Sequence, residues 1–138
     1  MTDEPTNPVV LCYDGSDVAR HAIRTAGRVL VGRTAVVLSV YTINIADLLP
    51  GVDVHQRAHD LAQAGANIAR EAGFEATGID LDTPTIWKGL VDYAEEHNAE
   101  VVVAGTTGMS ALSTVLGSVA YGVAHHCTRP VLLVRPDR

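Results

Sequence analysis

Short runs of Val, Leu and Ala recur along the chain, spaced too far apart for hairpins. They are VVLCY (Val9–Tyr13), TAVVLSVY (Thr34–Tyr41), EVVVAG (Glu100–Gly105) and VLLV (Val131–Val134). Their apolar residues are consecutive rather than alternate. Such a run suits a strand covered on both faces, and strands of that kind belong to parallel sheets flanked by helices. FEATGIDLD (Phe74–Asp82) alternates instead, as a half-exposed edge strand does.

The segments between the runs have helical period. In SDVARHAIRTAGRVL, Ala19, Ala22, Ile23, Ala26 and Leu30 share one face. Ser16 is its expected N-cap, with Asp17 in the first turn. VHQRAHDLAQAGANIAREAG offers a stripe of Val54, Ala58, Leu61, Gly65, Ile68 and Ala72, with Gly73 as its stop. TIWKGLVDYAEEHNA turns Trp87, Leu90, Val91 and Ala94 inward, and a fourth helix starts at Gly117. Residues 42–53 show no period and form a loop that could lie over a ligand site. Strands alternating with helices predict one α/β domain over residues 1–138, an open parallel five-stranded sheet with helices on both faces. At 138 residues, such a domain can bury about 70% of its unfolded surface.

Charge narrows the partners. The net charge is -6 and Lys88 is the only lysine, which argues against nucleic acid and anionic membranes. Cys12 and Cys127 form no CxxC pair and read as small buried residues of a reducing compartment. The opening MTDEPTNP is polar, unlike a signal or transit peptide, so residues 1–7 read as a disordered tail and the protein as cytoplasmic. No apolar run is long enough to span a bilayer.

In a sheet of this kind, ligands bind beyond the carboxyl ends of the strands, where the strand order reverses. Two loops are candidates: DGS after the first strand and GTTG after the fourth. The second belongs to VVVAGTTGMSALSTVLGSVA, in which Gly105 and Gly108 permit close backbone approach and Gly117-Ser118 opens a helix whose free N–H groups suit an anion. The alternative is local: strand-to-helix turns carry Gly and Ser for their own geometry. The stretch is neither a Walker A loop nor a GxGxxG fingerprint. Between Ala104 and Leu116 there is no Lys or Arg. A phosphate here would be held by backbone N–H groups, by the hydroxyls of Thr107, Ser110, Ser113 and Ser118, and by Mg²⁺. That favours binding over phosphoryl transfer, which needs fixed positive charge.

Histidines offer a second, weaker signal. His55 and His59 are spaced i, i+4 with Asp53 and Asp60 nearby, a spacing that can bind metal, yet the HExxH glutamate is missing and the pair reads as a solvated helix face. His125 and His126 are adjacent and point apart on a helix, and His97 marks a helix end. No metal site and no catalytic base are assigned. Ser16 is not in a GxSxG elbow, and Glu95-Glu96 read as solvated.

VVLCYDGSDVARHAIRTA, YAEEHNAEVVVAGTTG and the segment from Val101 to Pro136 together resemble the universal stress protein family over nearly the whole chain. The resemblance implies the strand order 3-2-1-4-5 and an adenine nucleotide alpha hydrolase-like fold. The ATP-binding branch carries G-x2-G-x9-G-S/T where this chain reads G-x2-G-x8-G-S, one residue shorter between Gly108 and Gly117. By the same resemblance, Tyr13 and Asp14 meet the adenosine end of ATP or AMP, and Val40 touches adenine through its backbone. Ala104 and Gly105 lie beside the ribose, and Thr107, Gly108, Gly117, Ser118 and Val119 face the phosphates. Asp14 also has a plain turn-forming reading, in which it caps local N–H groups.

The family order puts Val131–Val134 at a sheet edge, and an exposed apolar edge invites pairing. The resemblance implies antiparallel pairing of this strand in a homodimer; the alternative is cover by the chain's own loop. The expectation is thus a nucleotide-binding stress-response or signalling protein, at most a slow ATP hydrolase, since Arg57 and Arg129 are the nearest conceivable cationic donors. The rivals are a dimeric interaction module that binds no nucleotide and a true nucleotide hydrolase.

Overall fold

The computed structural model describes residues 7–43, 45–51, 53–107 and 116–137. The expected tail, apart from Asn7, lies outside them, as do Gly108, Ser110 and Ser113. The strands are β1 (Val9–Cys12), β2 (Thr34–Tyr41), β3 (Glu75–Asp82), β4 (Val101–Gly105) and β5 (Val131–Val134). The helices are α1 (Asp17–Val29), α2 (Val54–Glu71), α3 (Ile86–Glu96) and α4 (Ser118–His126). All strand pairings are parallel, in the order β3-β2-β1-β4-β5. This is the α/β fold and the strand order expected from the sequence.

The continuous apolar runs are explained by burial on two faces. Val9, Leu11 and Tyr13 join Ala22, Ile23, Ala26, Ala66 and Ala69 in a core beneath α1 and α2. Val10 joins Val36, Leu38, Leu90, Ala94 and Val123 beneath α3 and α4. Successive residues of a strand point to opposite faces, so a strand with a core on each side has no polar register.

Local signals set the helix ends. Ser16 Oγ accepts the Ala19 N–H at 3.1 Å, and Asp53 caps α2 by accepting the Gln56 N–H at 2.9 Å. Gly73 follows α2 at φ +105, the left-handed conformation that ends helices.

The α2 stripe differs from expectation. Ala58, Ala62, Gly65, Ala66 and Ala69 are buried, while Leu61, Ile68 and Ala72 are partly buried at the margin of the core. Small residues hold the centre of the contact because the helix sits very close to the sheet. A Cβ at Gly65 would fall 2.7 Å from Val37 Cγ1 and 2.8 Å from Tyr13 Cδ2. A Cβ at Gly78, on β3, would run into the Ala62 carbonyl of α2. Trp87 is likewise half-buried, stacked on His126 with ring centroids 4.3 Å apart and lying over Gly122. The 42–53 segment contains a short 3-10 helix, Ile45–Leu48.

Gly65→Ala tests the close seating. In an open helix this change stabilises by up to about 1 kcal/mol. Here the added methyl overpacks the α2–sheet contact, and we expect a net loss of about 1–3 kcal/mol, read as a lower urea midpoint with unchanged cooperativity.

Candidate functional site

β1 and β4 lie side by side, and their carboxyl ends open a crevice of about 520 Å³. Its floor continues the α3/α4 face of the sheet through Cys12, Leu38, Val40 and Ala104, with Ile86 and Leu90 of α3 in one wall. The start of α4, from Leu116 to Ala120, supplies another. Tyr13, Asp14, Val40, Ala104, Gly105, Thr107, Gly117, Ser118 and Val119 all line it. Gly108, the remaining candidate, lies outside the described residues.

The DGS turn is built by its own hydrogen bonds. Asp14 Oδ1 accepts the Ser16 N–H at 2.9 Å, and Gly15 sits at φ +86, where a side chain would be strained. Asp14 therefore has the turn-forming role as well as a place in the crevice. The Tyr13 N–H donates to the Leu38 carbonyl at 3.0 Å. Its ring lies in the α1/α2 core, and its hydroxyl meets the Arg20 guanidinium.

On the β4 side, Gly105 is sterically required. A Cβ there would lie 2.5 Å from Val18 Cγ1, on α1. The Thr106 carbonyl accepts the Gly117 N–H at 2.8 Å, so the chain that leaves at Thr107 is back against the strand end at Gly117. Gly117 is the N-cap of α4 at φ -65 and ψ 163, and among the described residues no side chain makes the cap hydrogen bond. Any residue can adopt that backbone. A Cβ there would meet the Thr106 oxygen at 3.5 Å and Thr107 Cα at 3.6 Å, ordinary contacts. Among the described residues, nothing near position 117 requires glycine. Thr107 is 9% exposed, and its hydroxyl is buried without a hydrogen-bond partner among the described residues. A buried hydroxyl left unpaired is costly.

Among the described residues lining the crevice there is no Lys or Arg, and Asp14 is the one acid. Arg129 is engaged elsewhere, its Nε donating to the Ala99 carbonyl at 2.7 Å, and neither it nor Arg57 lines the crevice. The described residues of the 42–53 loop do not line it either. Sequence reasoning had missed Cys12, Leu38, Ile86, Leu90 and Leu116 as lining residues. Period-two alternation puts Leu38 on the same face as Val40, and Ile86 and Leu90 are one turn apart on α3. These signals were available, yet they read equally well as core.

A largely apolar crevice at the point where the strand order of an open parallel sheet reverses is where sheets of this class take their ligands. The chain belongs to the universal stress protein family, whose profile matches residues 5–135. A universal stress protein of Methanocaldococcus jannaschii is 29% identical over 145 residues, covering 94% of this chain and 82% of the relative. Among solved structures, a universal stress protein in complex with cAMP superposes with a TM-score of 0.74 at 22% identity, covering 97% of this chain and 100% of that one. The universal stress protein from Archaeoglobus fulgidus in complex with dAMP gives a TM-score of 0.69 at 25% identity, over 93% of this chain and 97% of that one.

Burial pushes the Cys12 thiol from its ordinary 9.0 up to about 12, and the Asp14 carboxylate and Cys127 push the same way. Between these values the native state keeps a proton that the unfolded chain gives up, so stability falls as pH rises from 9.0 toward about 12. Cys12→Ala should flatten that fall, measured as the thermal midpoint against pH. The wild-type thiol should also react with iodoacetamide more slowly than an unfolded control at mildly alkaline pH.

Proposed function

We propose that this chain binds an adenine nucleotide, AMP or ATP, in the crevice between the ends of β1 and β4. The observation that carries the reading is the meeting of two features at the crevice: a buried Thr107 hydroxyl without a hydrogen-bond partner among the described residues, and an α4 N-terminus whose N-cap, Gly117, has no side chain to cap it. Free helix N–H groups and a nearby hydroxyl suit a phosphate. The nucleotide complexes of related universal stress proteins support the choice of adenine.

On this reading the base and ribose occupy the apolar part of the crevice. Asp14 meets the adenosine end, the Val40 backbone meets the adenine edge, and Ala104 and Gly105 flank the ribose. Thr107, Gly108, Gly117, Ser118 and Val119 face the phosphates. The G-x2-G-x8-G-S spacing then acts as a shortened version of the ATP-binding loop. With no lining cation among the described residues, Mg²⁺ would offset the charge of a bound polyphosphate. The protein binds and signals in the cytoplasmic stress response, and any hydrolysis is slow.

Denaturing the freshly purified protein and resolving the supernatant by ion exchange tests this directly. A stoichiometric AMP, ADP or ATP peak is expected. An empty supernatant, followed by no calorimetric binding of AMP or Mg-ATP, would leave a dimeric interaction module. Gly117→Val adds bulk where the fold leaves ordinary contact distances. We expect it to weaken nucleotide binding at least about tenfold, ~1.4 kcal/mol, with an unchanged circular dichroism spectrum.

The same reading includes a homodimer through β5. This strand ends the sheet order, and Val131, Leu132 and Leu133 are only partly buried. An apolar edge of this kind favours pairing with a second copy. Leu133→Glu should shift the sedimentation equilibrium toward monomer; an unchanged mass would reject the interface.

A further inference from the structure

Asp80 of β3 meets two imidazoles of α2. His55 Nδ1 lies 3.1 Å from Asp80 Oδ2, and His59 Nδ1 lies 3.3 Å from Oδ1. The Tyr41 hydroxyl, at the end of β2, sits 3.0 Å from His55 Nδ1. The side chain of Asp80 is 14% exposed, whereas those of His55 and His59 are 69% and 48% exposed. The carboxylate faces inward, and the outer parts of the two rings face water.

His59 Nδ1 is hydrogen-bonded to Asp80, whereas His55 Nδ1 lies at ion-pair distance from it and has the Tyr41 hydroxyl as its hydrogen-bond partner. An ionised carboxylate only accepts hydrogen bonds and a hydroxyl can also accept one, so an Nδ1 held between these groups carries the proton. The lone pair of each neutral ring is then on Nε2. Neither Nε2 has a partner among the described residues. The i, i+4 spacing puts both rings on one helix face, one turn apart. This combination is how proteins prepare histidine for a metal: a carboxylate on one ring nitrogen fixes the tautomer and the ring orientation, and the other nitrogen coordinates. The sequence showed the spacing, but the orienting carboxylate comes from a strand 21 residues beyond His59.

We propose that His55 and His59, oriented by Asp80, form a two-imidazole surface site for a divalent transition-metal cation, Cu²⁺, Ni²⁺ or Zn²⁺. Among the described residues no group of three His, Cys, Asp or Glu side chains is placed to hold a metal ion. The proposed site therefore has at most the two imidazole nitrogens as protein ligands, with water in the remaining positions. Imidazole suits these cations, with Cu²⁺ the tightest, whereas Mg²⁺ and Ca²⁺ require oxygen ligands. Neither histidine lines the nucleotide crevice, so the site stands apart from the reading above.

The experiment titrates the full chain, stripped with a chelator, with Cu²⁺, Ni²⁺, Zn²⁺ and Mg²⁺ separately. Calorimetry gives the affinity, and the imidazole proton resonances report which rings broaden first with substoichiometric Cu²⁺. One Cu²⁺ per chain is expected, broadening His55 and His59 first, with Mg²⁺ silent. His55→Gln and His59→Gln should each lower Cu²⁺ affinity at least about tenfold. Both side chains are exposed enough that the fold should tolerate the changes. Asp80→Asn, which keeps both histidines, should cost about ten- to a hundredfold, the range typical of a carboxylate that orients a metal-bound histidine. His125→Gln and His126→Gln should leave the affinity unchanged. Affinity that ignores His55 and His59, or that follows the His125-His126 pair instead, would overturn the site. Affinity insensitive to Asp80→Asn would reduce that carboxylate to a clamp of α2 on β3 and overturn its orienting role.

Discussion

The parallel pairing of β1 with β2 on one side and β4 on the other is the constraint that organises this molecule. The chain runs outward from β1 to β2 and β3, then returns to begin β4 on the opposite flank of β1. The connections that leave β1 and β4 therefore diverge at the carboxyl end of the sheet, and the space between them is the crevice. Shifting this pairing would move Asp14, Gly105 and Thr107 apart, since all three follow directly from the strand ends.

Close packing then shapes the crevice. Gly105 lets the end of β4 rest on Val18 of α1, and Gly65 lets α2 sit against Val37 and Tyr13. These glycines are explained by neighbours within the chain. Gly117 differs: its φ of -65 is open to any residue, and among the described residues its missing side chain meets only ordinary contact distances.

Electrostatics sets the kind of chemistry the crevice can perform. Its described lining carries one carboxylate and no guanidinium or ammonium group. An anion there would meet backbone N–H groups and hydroxyls rather than a cationic side chain of the described lining. None of the described arginines lines the crevice: Arg20, Arg24, Arg28, Arg57 and Arg70 lie on helices, Arg33 pairs with Glu100, and Arg129 is tied to a backbone carbonyl. The described lining thus presents no fixed positive charge of the kind that phosphoryl transfer uses.

Much of this was legible in the sequence. The runs at Val9, Thr34, Val101 and Val131 determined a doubly covered parallel sheet, because only burial on two faces tolerates consecutive apolar residues. Ser16 and Gly73 determined helix ends through local hydrogen bonds and backbone conformation, which need no distant partner. Tertiary structure alone decided the rest. It chose Ala62, Ala66 and Ala69 over Ile68 and Ala72 at the centre of α2, because the helix–sheet distance is set by glycines on both partners. It gave the core residues Leu38 and Leu90 a second role as crevice walls, since a residue's pattern does not say whether the space beside it is filled. It brought Asp80 to His55 and His59 across the α2–β3 packing. Periodicity carries information along one element, whereas contacts between elements depend on how closely and in what register they meet, which no single segment encodes.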